Sequence, residues 1–322
     1  MAVYTEVSNE TLVQFLADYD IGALLSFKGI TEGIENSNYL LRTDQKSYIL
    51  TLYEKRVQEK DLPFFLSLMN HLSERGIHCP TPIGNRHGDV WGHLEGRAAA
   101  LVSFLDGLWV RHPRPEHCQQ VGKVLACIHD EGQNFSLQRE NTLNLHILQS
   151  LLEAVGNVDH IKPHLTVELY KELNYITTCW PSNLPHGVIH GDLFPDNAFF
   201  TQGVLSGVID FYFACNDFLA YDIAICINAW CFEDNYEFNA DCARALLSGY
   251  QERRPLEDCE RKALPILCRG SAMRFLLTRL YDWILGDIGE TALVKPKDPL
   301  DYLARVRFHR RVESITAYGL DP

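Results

Sequence analysis

The sequence predicts an α+β protein with two lobes, a small N-terminal lobe of antiparallel strands and a larger, mainly helical C-terminal lobe. Up to about residue 105, short apolar runs alternate with polar and glycine-containing turns, as in antiparallel strands. From about residue 115 onward, apolar residues recur mostly at helical spacing. The chain has 322 residues, more than one hydrophobic core usually serves. We therefore assign 1–105 to the first lobe and 106–322 to the second.

The predicted N-terminal lobe begins with a short amphipathic helix, followed by three apolar runs that are separated by a glycine-containing loop and a polar turn. Pro63 and Gly76 bound a second helix, since proline suits a first turn and glycine ends one. Two further strands precede the connection between the lobes, which we place at 102–107. The predicted helices span 10–19 and 62–75, and the predicted strands span 24–28, 39–41, 48–53, 89–93 and 98–105.

The predicted C-terminal lobe is mainly helical because its apolar residues recur every three or four positions. Short apolar runs interrupt this pattern, and they precede the polar motif described below. The predicted helices span 115–130, 163–180, 219–232, 240–253, 257–287 and 299–318, and the predicted strands span 187–190, 198–200 and 207–211.

Composition excludes several classes of protein. A net charge of −13 opposes binding to nucleic acid and to anionic membrane surfaces. Residues 1–10 lack the basic and apolar regions of a secretion signal, and the apolar stretch 223–232 is too short to span a bilayer. We therefore expect a cytoplasmic protein with small-molecule partners, without nucleic acid or membrane, whose oligomeric state stays open. The ten cysteines include no Cys-x2-Cys pair, which favours reduced structural thiols over a zinc site.

The most informative segment is His190–Asn197, in which Asp192 precedes Asn197 by five residues, directly after an apolar run. A second apolar run ends in Asp210. Phosphoryl transfer of the kinase type needs these groups in this order, a carboxylate that faces the acceptor and then two oxygen ligands for metal ions. Two buried strands that end in polar loops would also explain the apolar runs, but not the carboxylates that follow them.

The motif assigns a role to each polar residue. We expect Asp192 to accept a hydrogen bond from a substrate hydroxyl and to align it for attack on the γ-phosphate of ATP. Asn197 and Asp210 offer oxygen atoms to Mg²⁺, which prefers hard oxygen ligands together with phosphate. His190 is a second candidate for catalysis as a general base, and the alternative is a structural ring that bonds the backbone of the loop. ATP and Mg²⁺ are therefore the expected cofactors.

The loop between the first two predicted strands is the candidate contact for the nucleotide. A glycine loop between two strands folds over nucleotide phosphates in kinases, whereas dinucleotide-binding folds place theirs between a strand and a helix. Two glycines four residues apart also fit an ordinary hairpin turn, and this alternative stays open. From the loop and the connection between the lobes we take as nucleotide-binding candidates Gly29, Gly33, Asn36, Ser37, Asn38, Val102 and Phe104.

The motif His190–Asn197, together with Ile209–Phe211, resembles the aminoglycoside phosphotransferase and choline kinase superfamily, whose members are relatives of protein kinases. The resemblance extends from about residue 4 to residue 318, and it implies a two-lobed protein-kinase-like fold with MgATP as the phosphoryl donor. Several stretches resemble the homoserine kinase branch of this superfamily: 33–39, 61–65, 187–190, 209–217 and 228–233.

The resemblance to this branch implies L-homoserine as the acceptor, with O-phospho-L-homoserine and ADP as products, in threonine biosynthesis. It implies that 1–105 binds the nucleotide and that 106–322 carries the catalytic and acceptor-binding groups. Two alternatives stay open. One is another hydroxyl kinase of the superfamily, acting on choline, an aminoglycoside or a modified amino acid, and the other is a non-catalytic kinase-like binding module.

One position departs from the superfamily pattern. Many members carry a lysine or arginine on the third strand, in contact with the α- and β-phosphates, whereas this chain has Thr51 there. Lys55 lies on the same face but about 13 Å further along an extended strand. Glu59 and Asp61 are candidates for the acidic partner that usually follows on the next helix. Backbone amides of the loop 29–38 and the metal ions are a possible replacement for the missing cation.

Recognition of an amino-acid acceptor requires a cation for the carboxylate and an anion for the ammonium group. Arg274 and Arg279 are candidates for the first role, and Asp217 or Asp222 for the second. Asp222 lies inside an apolar run, so it could instead bond the motif loop. A cage for a quaternary ammonium is the rival interpretation, although aromatic residues in helices are more often core. Its candidates are Tyr212, Trp230, Tyr281 and Trp283.

Overall fold

The computed structural model describes residues 4–30, 36–54, 57–285 and 297–320. Within these residues the chain forms two compact units. The first comprises Met1–Gly107 together with Gly207–Tyr212, and the second comprises Leu108–Ser206 and most of the chain from Phe213 onward.

The first unit is an antiparallel five-stranded sheet with two α-helices, which confirms the predicted sheet lobe. The strand order is β1-β2-β3-β5-β4. Pro63 lies in the first turn of the longer helix, as predicted. The elements are α1 (Asn9–Leu16), β1 (Leu24–Gly29), β2 (Ser37–Thr43), β3 (Ser47–Leu52), α2 (Leu62–Glu74), β4 (Gly92–Leu94) and β5 (Arg97–Ser103).

The two faces of this sheet differ in character. Leu50 and Leu52 of β3 point to one face and are buried in a hydrophobic core with Leu12 and Leu16 of α1. Side chains alternate along a strand, so Thr51 points to the other face. There it lies beside Asn38 of β2, its direct partner in the register. A polar pair therefore lies on the face opposite the hydrophobic core.

The second unit is mainly helical, as predicted. Its short strands form two two-stranded sheets, β6 with β9 and β7 with β8. The helices are α3 (Pro115–Gly132), α4 (Leu145–Val155), α5 (Leu165–Cys179), α6 (Leu219–Trp230), α7 (Ala240–Gln251), α8 (Asp258–Leu285) and α9 (Pro299–His309). The strands are β6 (His186–Ile189), β7 (Ala198–Thr201), β8 (Val204–Val208) and β9 (Cys215–Phe218).

Several elements differ from the sequence-based prediction. The strand predicted at 207–211 is β8, which ends at Val208, before Asp210. Helix α4 and strand β9 were not predicted. The strand predicted at 89–93 begins only at Gly92, because the amides of His87 and Asp89 donate to the Asn85 side chain and form a turn there. The helix predicted at 299–318 ends at His309 and is followed by a separate 3-10 turn. None of the described helices is long and apolar enough to cross a membrane. All ten cysteines are free thiols.

Candidate active site

The motif loop, His190–Asn197, follows β6 directly. Its second residue, Gly191, has a φ of 76°, which residues with a Cβ rarely adopt. A Cβ at this position would also lie only 2.7 Å from the carbonyl oxygen of Phe213. The glycine is therefore required both by backbone conformation and by space, and it lets the chain turn so that Asp192 heads the loop.

Asp222 of α6 fixes the backbone of the motif loop. Its Oδ2 accepts the amide of His190 at 2.6 Å, and its Oδ1 accepts the amide of Gly191 at 2.9 Å. The side chain is completely buried. Of the two roles considered for Asp222, the structure places it at the loop backbone.

His129 of α3 gives the Asp222 carboxylate its third partner, through Nε2 at 3.2 Å. Burial on its own raises the pKa of Asp222, but the hydrogen bond from His129, the neighbouring His190 and the amide of Gly191 together outweigh it, so that this pKa lies below its ordinary value. Asp222 is therefore a carboxylate with three donors around it, as a buried charge requires.

The chain of hydrogen bonds continues beyond His129 towards the surface. His129 Nδ1 lies 2.7 Å from the Tyr250 hydroxyl, which accepts from Arg254 at 3.0 Å. Arg254 in turn makes two hydrogen bonds to Glu260. If Tyr250 donates to Nδ1 and Nε2–H donates to Asp222, every bond in the chain has one donor and one acceptor.

A close approach of α3 and α7 makes the contact between His129 and Tyr250 possible. A Cβ on Gly122 of α3 would lie 2.0 Å from the Leu246 carbonyl oxygen, and a Cβ on Gly249 of α7 would lie 2.1 Å from the Gln119 carbonyl oxygen. Side chains at either glycine would push the helices apart. These two glycines thus support the motif loop through the His129 pair, although neither lies near it in sequence.

The motif residues also bond to one another. Asn197 Nδ2 donates to the Asp192 carbonyl oxygen at 2.8 Å and to Asp192 Oδ2 at 3.3 Å, so its amide is oriented with Oδ1 turned away from Asp192. His190 is completely buried, and its Nδ1 accepts the amide of Asp192 at 3.3 Å. This contact is the one expected if the His190 ring bonds the backbone of the loop instead of acting as a general base.

Arg274 and Arg279 lie five residues apart on α8. Arg274 is buried and donates from Nη1 to the Gly191 carbonyl oxygen at 2.8 Å, and its guanidinium lies 4.5 Å from the Phe275 ring centre. Its Nε has no hydrogen-bond partner among the described residues. Arg279 donates to Asp301 at 2.8 Å, and burial lowers its pKa. Both cations are therefore in the second unit, and Arg274 contacts the motif loop itself.

The other acceptor candidates lie in the same unit. Asp217 of β9 accepts from Asn141 Nδ2 at 2.6 Å and from the amide of Phe218. Trp230 is only 1% exposed, and its indole N–H donates to the carbonyl oxygen of Leu193 at 2.7 Å. The ring therefore packs beneath the motif loop and has almost no exposed surface for a substrate.

Asp210 belongs to the first unit and has a left-handed backbone, with a φ of 65°. Such a conformation costs a non-glycine residue on the order of 1 kcal/mol, so neighbouring contacts must stabilise it. Before it, the amide of Val208 donates to the His78 carbonyl oxygen at 2.9 Å. After it, Phe211 is completely buried and Tyr212 accepts a hydrogen bond from the Tyr53 hydroxyl at 3.0 Å.

The nucleotide-binding candidates occupy the first unit. Ser37 is completely buried and its hydroxyl donates to Glu54 Oε1 at 2.8 Å, while Asn36 accepts the amide of Glu54 at 3.3 Å. Asn38 accepts from the Thr51 hydroxyl at 2.8 Å. The three side chains therefore bond within the lobe.

The remaining candidates of this group lie at the ends of strands. Gly29 ends β1, Val102 is buried in β5, and Phe104 directly follows β5 with 41% of its surface exposed. Gly33 and Lys55 lie outside the described residues. Glu59 lies on the surface near His93, at 3.3 Å.

Comparison with known proteins decides the family. The model of the phosphotransferase enzyme family matches residues 26–256. The chain belongs to this phosphotransferase family. It is 60% identical over 322 residues to homoserine kinase of Parvibaculum lavamentivorans, with both chains covered completely. It is 55% identical over 321 residues to homoserine kinase of Rhizobium rhizogenes, with 99% of each chain covered.

Solved structures of distant phosphotransferases share the fold. The amicoumacin kinase hAmiN, in complex with AMP-PNP, Ca²⁺ and Ami, superposes with a TM-score of 0.72 at 16% identity, covering 94% of this chain and 92% of that chain. Choline kinase of Cryptosporidium parvum superposes with a TM-score of 0.66 at 15% identity, covering 94% and 95%. The predicted α+β, protein-kinase-like fold class is confirmed.

Two groups of supporting residues in this phosphotransferase were not predicted from the sequence. His129 and Tyr250 support Asp222, and Tyr53 bonds Tyr212. His129 had a signal, because a histidine beside the apolar stripe of a helix needs a polar partner in the core. The phenol pair had none, since its members are 159 positions apart.

Proposed function

We propose that this phosphotransferase transfers the γ-phosphate of ATP to the hydroxyl of L-homoserine, giving O-phospho-L-homoserine and ADP. The observation that carries the choice of acceptor is the 60% identity to a homoserine kinase over all 322 residues. The arrangement of the motif loop supports the type of reaction, because a carboxylate and an amide are bonded together at the head of a rigidly supported loop.

Asp192 is the proposed catalytic residue. Its carboxylate accepts the hydrogen bond of the acceptor hydroxyl and aligns the oxygen with the γ-phosphorus. As the new O–P bond forms, the bond between the γ-phosphorus and the bridging oxygen of ADP breaks, and the hydroxyl proton passes to Asp192. His190 does not take this proton in our proposal, because its ring is buried and its Nδ1 already accepts the amide of Asp192.

Asn197 and Asp210 are the proposed ligands of Mg²⁺. The fit rests on the donor set, since both residues offer oxygen and the Asn197 amide is oriented by two hydrogen bonds from Nδ2 to Asp192. When bound, Mg²⁺ neutralises charge on the transferred phosphate and on ADP. Asn197 would then connect the bound ion to the position of Asp192. Its side-chain amide donates from Nδ2 to Asp192 and would offer Oδ1 to the ion.

The residues 1–105 are proposed to bind ATP through main-chain groups. Asn36, Ser37 and Asn38 use their side chains within the lobe, so their contribution to phosphate binding is through backbone amides. Val102 and Phe104 are proposed to contact the adenine, and Gly29 the phosphates. In this proposal, uncharged backbone amides bind the phosphates in place of the cation that is absent at Thr51.

For the acceptor, we propose Arg279 and Arg274 as the cations that favour the homoserine carboxylate, and Asp217 for its ammonium group. Asp222 and Trp230 are assigned instead to support of the motif loop, because both are buried and fully hydrogen-bonded to it. The aromatic cage for a quaternary ammonium loses support for the same reason, since the Trp230 indole is occupied by Leu193.

An acceptor panel tests the proposal. Purified protein with MgATP is given L-homoserine, choline, kanamycin or L-serine, and ADP release is measured together with the ³¹P NMR spectrum of the product. We expect kcat/KM for L-homoserine to exceed that for each other compound by at least about 100-fold, since a site built for polar groups rejects analogues that leave those groups unpaired. Equal or faster turnover of choline would overturn the choice of acceptor, and release of ADP without a phosphorylated acceptor would overturn the kinase assignment.

A further inference from the structure

We propose that the hydroxyl groups of Tyr53 and Tyr212, with Thr51 and Asn38, position the Asp210 carboxylate for its metal ion in place of a lysine–carboxylate pair. These four residues are called the hydroxyl cluster below. The inference rests on the proposed function only in that Asp210 is a metal ligand, and it adds positioning residues on which that role depends.

The phenol pair forms the centre of the hydroxyl cluster. The Tyr53 hydroxyl donates to the Tyr212 hydroxyl at 3.0 Å, and the two rings meet edge to face with centres 5.1 Å apart. The Tyr212 ring also packs edge to face on Phe65 of α2, at 5.7 Å. Tyr212 is therefore fixed by a hydrogen bond and by two aromatic contacts, only two residues after Asp210.

The sheet supplies the other half of the hydroxyl cluster. Thr51 is 2% exposed, and its hydroxyl donates to Asn38 Oδ1 at 2.8 Å. Tyr53 lies two residues beyond Thr51 and therefore points to the same face, and its amide still pairs with the Ala98 carbonyl oxygen of β5 at 2.9 Å. The strand β3 thus presents two hydroxyl groups side by side where related kinases have a cation.

The phenol pair lies close to Asp210 along the chain, because Tyr212 follows Asp210 by only two residues. The phenol group of tyrosine is protonated at neutral pH, so each hydroxyl of the pair has a proton to donate.

The backbone conformation at Asp210 requires stabilisation, and the hydroxyl cluster provides it in our proposal. The left-handed φ of 65° aims the Asp210 side chain in a direction that an ordinary strand end would not adopt. Val208 is bonded to His78 on one side, and Tyr212 is bonded to Tyr53 on the other. With both flanks fixed, the chain between them keeps the strained conformation, and the carboxylate keeps its direction.

A neutral cluster suits its surroundings. A lysine ammonium at the buried position of Thr51 would need a carboxylate partner to offset the cost of leaving water. Hydroxyl and amide groups instead satisfy one another in pairs, as Thr51 with Asn38 and Tyr53 with Tyr212 do. The cluster therefore supplies a rigid polar surface without the desolvation cost of a charge.

Binding of Mn²⁺ by the full chain in the presence of ADP, followed by electron paramagnetic resonance, tests the inference without any turnover. Tyr212→Phe removes one hydroxyl and keeps the ring, and we expect it to weaken Mn²⁺ binding about two- to tenfold, the worth of one hydrogen bond. The Mg²⁺ concentration for half-maximal rate should rise by a similar factor, while KM for the acceptor stays unchanged. Tyr53→Phe removes the same bond from its other side and should give the same loss.

The double variant and a control make the test specific. Tyr53→Phe/Tyr212→Phe should bind Mn²⁺ no more weakly than either single variant, because all three lack one shared bond. Tyr39→Phe is the matched control, since its buried hydroxyl on the same sheet bonds the Thr5 carbonyl and the Val7 amide instead. It should lower stability and leave Mn²⁺ affinity unchanged.

Wild-type Mn²⁺ affinity in folded Tyr212→Phe and Tyr53→Phe would overturn the inference, as would an equal loss in Tyr39→Phe. Failure of the proposed function has a different signature. If the acceptor panel shows turnover of another alcohol, the Mn²⁺ measurements keep their meaning, because no acceptor is present in them.

Discussion

In the second unit, the motif loop is fixed by a buried carboxylate, Asp222, that accepts three hydrogen bonds. In the first unit, the segment around Asp210 is flanked by a phenol pair, Tyr53 and Tyr212, that carries no formal charge. Each region holds one aspartate in a defined direction, Asp192 in the motif loop and Asp210 in the first unit. The groups that hold the two aspartates differ in charge.

The difference has consequences for how each region tolerates change. Removing one partner of a buried charge leaves the other uncompensated and typically costs about 3–5 kcal/mol. Removing one neutral hydroxyl from a pair costs about 0.5–1.5 kcal/mol. Substitutions around Asp222 should therefore lower stability and turnover strongly, whereas substitutions in the hydroxyl cluster should lower stability only slightly and act on turnover through metal binding.

Among the residues that position Asp192 and Asp210, the largest effect is expected for Asp222→Ala. Two loop amides and His129 would lose their acceptor at a completely buried position, so the free energy of unfolding should fall by about 3–5 kcal/mol. The loop would also move, and a displacement of about 1 Å can lower kcat about 100-fold. Urea titration and steady-state kinetics measure the two effects.

Asp222→Asn covers the case in which the alanine variant does not fold. It keeps the shape of the side chain and one acceptor oxygen, but it places an amide N–H against a second donor. We expect a folded protein whose kcat is lowered more than tenfold at saturating substrates. A folded Asp222→Asn protein with kcat within threefold of the wild type would contradict the role of this carboxylate.

A smaller effect is expected for His129→Phe. Asp222 would keep both loop amides, so the loss should be about 1–3 kcal/mol of unfolding free energy, with kcat lowered less than in Asp222→Asn. His117→Phe is the matched control on the same helix, because its Nδ1 accepts the Arg114 amide and has no part in the loop. If both histidine variants lowered kcat equally, the claim that the hydrogen-bond chain from Tyr250 through His129 to Asp222 supports the motif loop would be contradicted.

The smallest effect on catalysis is expected for a charged network away from both regions. Glu168 of α5 accepts hydrogen bonds from Arg307 and Arg310, and the Arg307 bond, the largest cause, helps to lower the pKa of Glu168 from 4.5 to about 2. Because the pKa is lower in the folded state, Glu168 stabilises the fold above about pH 4.5 and loses this contribution as the pH falls towards 2.

Glu168→Gln tests the predicted direction in which stability changes with pH. The variant should be less stable than the wild type in urea at pH 7, and the difference should shrink as the pH is lowered below about 4.5. Its kcat at pH 7 should match that of the wild type. A stability difference that grows on acidification would show that the network does not act through the Glu168 charge.

Local patterns predicted most of the fold. Pro63 and the apolar stripe marked α2, and the alternation around Thr51 marked β3. Helix α4 was missed although Asn144 accepts the amides of His146 and Ile147 as an N-cap, which is a recognisable start signal. Strand β9 has the polar sequence Cys-Asn-Asp-Phe, so only its pairing with β6 defines it.

Some residues of the candidate site could likewise be predicted from the sequence, and others could not. Spacing alone selected Asp192, Asn197 and Asp210, because the reaction requires those groups in that order. Asp222 stood out as a carboxylate inside an apolar run. Its partner His129 lies 93 positions away, and no local pattern reports a contact at that distance in sequence. The sequence therefore indicates candidate groups for the reaction, whereas the residues that position those candidates are found only in the structure.

The most direct test of the central claim compares Asp192→Asn with Asp196→Asn. Both change one carboxylate of the same loop, but Asp196 is about half exposed and pairs with Lys297 at 3.6 Å. With MgATP and L-homoserine, Asp192→Asn should lower kcat by about 10²–10⁴, the usual worth of a positioned base, with the unfolding free energy nearly unchanged. Asp196→Asn should stay within about threefold of the wild type. A kcat for Asp192→Asn above a tenth of the wild-type value, or an equal loss in both variants, would contradict the assignment of Asp192 to the acceptor hydroxyl.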